Sequence, residues 1–108
     1  MSNSVTYSLD ARRYLAEQMA LERERNDIRN VKSDASKNVD DLMVEASSMD
    51  EGNPMKADLT RQMSAIQKMI EQLNIREEEI TERIDIATHR LEEARTKRKN
   101  AIDREYSS

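Results

Sequence analysis

Residues 51–56 read Glu51-Gly52-Asn53-Pro54-Met55-Lys56 and contain the one glycine and the one proline of this 108-residue chain. Glycine and proline are the two residues least compatible with the interior of a helix. Asn53 is suited to cap a helix that follows it, and Pro54 to occupy the first turn of that helix. Because both helix breakers lie together near the midpoint, the sequence predicts one turn, over about 50–53, that reverses the chain between two helices.

After this turn, residues recur at alternating intervals of four and three, the spacing of positions a and d along a coiled-coil seam. These positions are Leu59, Met63, Ile66, Ile70, Leu73, Glu77, Ile80, Ile84, Ala87, Leu91, Ala94, Arg98 and Ala101. Most are apolar, and the repeat lasts for more than four heptads. It predicts a long second helix, over about 54–105, that buries one stripe against another helix.

Before the turn, a second repeat predicts a first helix over about 8–49. One of its seam positions is mostly apolar, and the other is mixed. The two sets are Tyr7, Tyr14, Leu21, Ile28, Ala35, Leu42 and Met49, and then Ala11, Gln18, Arg25, Lys32, Val39 and Ala46. The first helix should therefore be the weaker one, and residues 30–38, which are rich in residues that favour turns, are expected to kink or fray.

Together these patterns predict an all-α fold, an antiparallel helical hairpin that forms a single domain over residues 1–108. The flanking g positions are mostly acidic in the first helix and basic in the second, which favours pairing between them. The predicted register brings together Glu24 with Arg83, Glu17 with Arg90, and Asp10 with Lys97. In the same register, the seam interruptions Arg25 and Glu77 fall within about one turn of each other and are expected to form a polar pair that fixes the alignment.

Several apolar residues do not fit an interface between only two helices. Off the seam are Leu15, Met19, Met43, Val44, Ile75 and Ile86, of which the last two lie three turns apart on one side of the second helix. Ala101, Ile102 and Tyr106 fall beyond the predicted end of the partner helix. We expect these residues to contact other hairpins or another protein partner.

Composition excludes several classes of protein. The chain has no cysteine, which excludes disulfide scaffolds, thiolate metal sites and cysteine nucleophiles. Its formal net charge of −4 argues against general binding to nucleic acid. The basic cluster formed by residues 95–104 is interpreted as a solvated helix end, with an anion or nucleic-acid contact as the alternative. No apolar run approaches a membrane span or the core of a cleaved signal peptide, so we expect a soluble protein, either cytoplasmic or part of a secreted or virion assembly.

The sequence offers little for chemistry. His89, with Glu92 and Glu93 on the next turn, has the spacing of metal ligands, but no second histidine accompanies them, so an ordinary surface cluster is the preferred interpretation. The carboxylates of residues 77–79 lie on several faces of a helix rather than around one cavity. No metal, cofactor or enzymatic activity is predicted.

Asn53-Pro54 followed by Leu59-x-x-Gln62 and long amphipathic spacing, over residues 53–73, resembles the helical hairpins of bacterial type III secretion. The needle and inner-rod subunits of that apparatus polymerise through such helices, and its chaperones are small, acidic and coiled-coil. The resemblance and the seam together predict a self-associating structural or assembly protein, such as a subunit of a filament, secretion apparatus or virion. The alternative is a chaperone or adaptor that binds one protein client.

Overall fold

The computed structural model describes residues 3–107 and shows an all-α protein. Helix α1 spans Asn3–Ser47 and helix α2 spans Pro54–Ser107. The two helices pack against each other as a hairpin, and residues 3–107 contain no strand. The predicted fold class is confirmed.

Helix α1 begins at Asn3, earlier than the predicted start near residue 8, and ends at Ser47, earlier than residue 49. Hydrogen bonds at this end are of the tighter type that closes a helix. The backbone N–H groups of Ser48 and Met49 donate to the carbonyls of Glu45 and Ala46, three residues back, at 3.3 and 3.1 Å. Ser47 Oγ and Ser48 Oγ add bonds to the carbonyls of Val44 and Glu45 at 2.8 and 2.7 Å.

The segment 30–38 is helical throughout, so the expected interruption of α1 is not seen. Ala35 and Val39 are buried in this segment, at 8% and 7% exposure, and anchor it to the seam. The residues that favour turns, Ser33, Asp34 and Ser36, are exposed. Packing of one face therefore outweighs the weak helix propensity of the other.

The described residues form two compact units, each with one segment of each helix. The single domain over 1–108 stays a prediction. We call residues 3–25 with 79–107 the termini unit and residues 26–78 the turn unit. Residues 1, 2 and 108 of the predicted domain lie outside the described residues.

The core of the termini unit comes mainly from α2. Its buried hydrophobic residues are Leu21, Ile80, Ile84, Ala87, Leu91, Ala94 and Ala101, all at predicted seam positions. Ile80 has no exposed surface. From α1, Tyr7, Tyr14 and Gln18 are half-buried at seam positions and help cover this stripe. The heptad pattern therefore located this core correctly.

The core of the turn unit is thinner. Its buried hydrophobic residues are Ile28, Ala35, Val39, Ala46 and Leu59, again all at seam positions. The large seam residues Met63, Ile66, Ile70 and Leu73 are only half-buried. The alanines of α1 are too small to cover them, so the turn unit keeps partly exposed apolar surface along its seam.

The C-terminal end of α2 is better covered than the sequence predicted. With α1 predicted to start near residue 8, the end of α2 beyond about residue 98 was expected to lack a partner. In the structure, the residues of α1 from Asn3 onward lie beside this end of α2. Ser4 Oγ donates to Glu105 Oε2 at 3.1 Å. Ala101 is consequently buried and Ile102 half-buried, while Tyr106 is 87% exposed.

The reversal of the chain is held by hydrogen bonds within residues 50–55. Asn53 Oδ1 accepts from the Met55 backbone N–H at 3.0 Å, which is the predicted cap of α2, and Pro54 is its first residue. The backbone N–H of Asn53 donates to Asp50 O at 3.0 Å. Gly52 does not have a positive φ, and a Cβ added to it would meet nothing within 4 Å. The turn therefore needs Asn53 but not the special conformational freedom of glycine.

We expect substitutions at these two neighbouring positions to have opposite effects. Asn53→Ala should lower the free energy of unfolding by about 1 kcal/mol because the N–H group of Met55 loses its acceptor. Gly52→Ala should raise the free energy of unfolding by up to about 1 kcal/mol because the unfolded chain loses freedom. Urea denaturation of each variant at one protein concentration gives both values. Asn53→Asp, which keeps an acceptor, should resemble the wild type.

Candidate interaction surfaces

Polar contacts between the helices of the termini unit show an antiparallel arrangement close to the predicted register. Gln18 Nε2 donates to Thr88 Oγ1 at 2.8 Å, within one turn of the predicted neighbours Glu17 and Arg90. Ser4 bonds Glu105 further along the same pair of segments. Residues of increasing number in α1 thus meet residues of decreasing number in α2.

Two cations of the predicted g-position pairs have other partners. The guanidinium carbon of Arg90 lies 6.0 Å from the ring centroid of Tyr14, within the range of a cation–π contact. Lys97 Nζ lies 3.3 Å from Glu93 Oε1 on its own helix. Within a helix, a glutamate four residues before a lysine is the favoured order for an ion pair. The Glu93–Lys97 pair can therefore replace an exposed pair between the helices, which is worth at most about 1 kcal/mol. Glu24 is half-buried and Arg83 is exposed, and their pairing stays a prediction.

Glu77 forms a polar cluster at the seam of the turn unit. Its Oε2 is shielded from solvent and lies 3.2 Å from Lys32 Nζ and 3.6 Å from Arg29 Nε. Lys32 Nζ also donates to Asn74 Oδ1 at 2.7 Å. The acid at this seam position therefore has two cations close by, although the sequence predicted Arg25 as its partner.

The direction of side chains on a helix explains this choice of cations. Side chains lean toward the N-terminus of their own helix. In an antiparallel pair, Glu77 therefore leans toward α1 residues of higher number than those level with it. In the predicted register Glu77 is level with about residue 30, so Lys32 lies on that side and leans back toward it. Arg29 is almost level with Glu77, whereas Arg25 is about five residues before that level. Heptad position alone does not contain this information.

The residues predicted to contact other hairpins are mostly exposed. Val44 is 71% exposed, Ile75 58% and Ile86 52%. Leu15, Met19, Met43 and Tyr106 are also exposed, and Ile102 is half-buried. These side chains are thus available for contact, which is the condition that the prediction requires.

Further exposed apolar residues escaped the sequence analysis. They are Val5, Leu9, Val31, Met55 and Met69. Because the first helix is predicted to start near residue 8, Val5 lies before it and Leu9 in its first turn, and the heptad pattern gives neither a helix face. Their four-residue spacing was the available signal, because it puts two apolar side chains on one face of a helix.

One apolar groove with a basic rim lies in the termini unit. Val5 and Leu9 of α1 and Ile102 of α2 line a cavity of about 230 Å³, together with Arg12 and Arg98. We call these five residues the basic groove. A neighbouring cavity of about 220 Å³ shares the two arginines and adds Leu15 and Arg95. The surface combines apolar contact area with positive charge.

An acidic apolar surface lies in the turn unit. Met43 and Val44 are exposed neighbours on α1, and Asp40 and Asp41, both exposed, are one turn before them. We call these four residues the acidic patch. On a helix, Asp40 and Asp41 flank Val44 at the spacings of four and three residues that bring side chains together.

The structure offers no enclosed centre at the residues weighed for chemistry. His89, Glu92 and Glu93 are exposed on α2, and Glu78 and Glu79 are exposed as well. Among residues 3–107, no group of three or more histidine, aspartate or glutamate residues is arranged to hold a metal ion. No helix in this part of the chain has a stretch long and apolar enough to cross a membrane.

Neither a family model, nor a curated protein, nor a solved structure matches this chain. The resemblance of residues 53–73 to type III secretion hairpins therefore stays a prediction from the sequence.

Proposed function

We propose that this chain is a non-enzymatic, self-associating helical hairpin that serves as a structural or assembly protein. A subunit of a filament, secretion apparatus or virion is the finer form of the proposal, and the resemblance of residues 53–73 supports it. The expected partners are further copies of the same chain.

One observation carries this proposal: among the described residues, more large apolar side chains are exposed than buried. The twelve buried hydrophobic residues include five alanines, which leaves seven larger side chains in the core. Twelve large hydrophobic residues are exposed on the same two helices. Where such side chains lie together, as Val5 and Leu9 do beside Ile102, the surface marks an interaction site, because a hairpin has no further layer of its own to cover it.

The non-enzymatic part of the proposal is supported by the setting of the ionisable groups. General acid or base catalysis needs such groups to be positioned against a substrate and partly removed from water. His89, Glu78 and Glu79 instead lie on the exposed surface of one helix. Solvated charges in this setting suit solubility and partner choice better than proton transfer.

We expect Ile75→Ser combined with Ile86→Ser to lower the oligomeric state while keeping most of the helix content. Both side chains are more than half exposed, so their removal takes apolar area from an outer surface and little from the core. Sedimentation velocity measures the change, and circular dichroism monitors the helices. Gln67→Ser with Gln72→Ser, two exposed uncharged positions on α2, controls for the helix propensity of serine.

The results separate the proposal from its alternative. An oligomer that both serine pairs leave unchanged would remove Ile75 and Ile86 from the assembly interface. A wild type that is monomeric over the whole concentration range would contradict self-association. The chaperone or adaptor that binds one client would then be the better description.

A further inference from the structure

We infer that the basic groove of one copy binds the acidic patch of a second copy. This inference rests on the proposed self-association and adds to it the two surfaces that meet. It differs from the role proposed for Ile75 and Ile86, which belong to neither surface.

The basic groove has the features of a site for an amphipathic helix with acidic neighbours. Val5 and Leu9 are 46% and 50% exposed, and with Ile102 they provide an apolar floor. Arg12 and Arg98 are exposed at its rim, and neither forms an ion pair with another described residue. A guanidinium prefers a carboxylate partner and can bind it in a two-pronged geometry.

The acidic patch provides the matching set on α1. Met43 and Val44 are 53% and 71% exposed, so they can insert apolar side chains into a groove. Asp40 and Asp41 lie one turn away, and neither forms an ion pair with another described residue. The apolar side chains of the patch match the apolar floor of the groove, and the carboxylates beside them match the arginines at its rim in sign of charge.

The wider charge distribution favours the same pairing. Residues 3–15 and 95–107 together contain seven lysines and arginines against three acidic residues. Residues 33–61 contain seven acidic residues against three basic ones. Contacts between two grooves or between two patches therefore bring like charges together, whereas groove against patch brings opposite charges together. The resulting contact joins different surfaces of the two copies, and such contacts generate rings or open chains.

A contact built from these few residues belongs to the weak class of interfaces. Stable complexes bury about 800 Å² on each partner, which is more than a handful of side chains supplies. We therefore expect association that rises with protein concentration and falls as salt is added, since the charged rim is screened over about 10 Å at 0.1 M salt. Further contacts, such as those of Ile75 and Ile86, would add to it.

Charge reversal on each surface, followed by mixing, tests the pairing. Arg12→Glu with Arg98→Glu makes the groove acidic, and Asp40→Lys with Asp41→Lys makes the patch basic. Each variant alone then presents two surfaces of like charge, and its dissociation constant should rise at least about tenfold. In an equimolar mixture, the acidic groove can bind the basic patch and the unaltered surfaces can bind each other. Association should return to within about threefold of the wild type.

Sedimentation equilibrium at 50 and 500 mM salt measures these constants, and circular dichroism verifies that each variant stays helical. Arg23→Glu with Lys68→Glu changes the net charge as much as the groove variant does, at two exposed positions outside both surfaces. It should associate like the wild type. Recovery in the mixture supports the pairing even if each reversal also perturbs its own helix slightly.

Every other outcome is informative in a different way. A wild type that oligomerises and is insensitive to both reversals overturns the groove–patch contact but leaves the proposed function standing. Reversals that weaken association without recovery in the mixture overturn the pairing of these two surfaces. If association is unaffected but the groove reversal abolishes binding to vesicles containing phosphatidylserine, the occupant is an anionic membrane surface and the inference is wrong. A monomeric wild type contradicts the proposed function itself.

Discussion

Ile80→Ala is expected to lower the free energy of unfolding by about 3 kcal/mol, a large part of what a small domain possesses. Ile80 has no exposed surface and is the largest fully buried side chain among the described residues. Its truncation removes buried methyl and methylene groups and leaves a cavity that two regular helices can close only in part. The high helix propensity of alanine recovers only a few tenths of a kcal/mol.

Urea denaturation followed by circular dichroism, at a concentration where the wild type and the variant have the same oligomeric state, measures this loss. Val31→Ala is the matched control, because Val31 is 47% exposed and loses a side chain of similar type. It should change the free energy of unfolding by less than about 0.5 kcal/mol. Equal losses at the two positions would contradict the seam described for the termini unit.

Glu77→Lys is expected to have the next largest effect, a loss of about 2 kcal/mol in the free energy of unfolding. The substitution places a third cation beside Arg29 and Lys32 at a seam position where Glu77 and Lys32 are each only about one-fifth exposed, 21% and 22%. Partial exposure keeps this value below the cost of breaking a fully buried pair, because water still reaches the cluster.

The exchanged pair, Glu77→Lys with Lys32→Glu, should recover more than half of that loss if the two groups interact directly. Chemical denaturation of the two single variants and the double variant forms a double-mutant cycle, whose coupling energy we expect to be about 1 kcal/mol. Arg25→Glu provides the comparison: combined with Glu77→Lys, it should recover less, since Arg25 is one turn or more before the two cations that lie close to Glu77. If Arg25→Glu recovered as much stability as Lys32→Glu does, Glu77 would interact with Arg25 as the sequence predicted, which would contradict the contacts seen in the structure.

The heptad repeat predicted the fold and the core well, because burial on one stripe is the dominant energy and leaves a strong periodic signal. Every buried hydrophobic residue, from Leu21 to Ala101, lies at a position that the repeat assigned to the seam. The partners of charged groups were harder to predict. Arg90, Lys97 and Glu77 each have several partners within reach whose energies differ by less than about 1 kcal/mol, so local side-chain direction decides between them.

The candidate surfaces were only partly predictable for a related reason. Exposure of Ile75 and Ile86 follows from their places off the seam, and the sequence analysis identified both. The basic groove depends on where α1 begins, because Val5 and Leu9 form a face only if the helix extends back to Asn3. Helix starts depend on small capping energies and are the least certain feature of a sequence pattern.

The hydrogen bond between Ser4 and Glu105 joins residues 101 positions apart, which has a consequence for how the chain is made. On the ribosome, α1 is complete before any of α2 exists, and the 54 residues of α2 take roughly three to eleven seconds to synthesise. During this time the nascent α1 has no seam to pack on. Gln18, Arg25 and Lys32 interrupt the apolar seam of α1, so the unpaired helix does not expose a continuous apolar stripe. The same positions serve the finished hairpin differently, because Gln18 then bonds to Thr88 and Lys32 to Asn74 of α2.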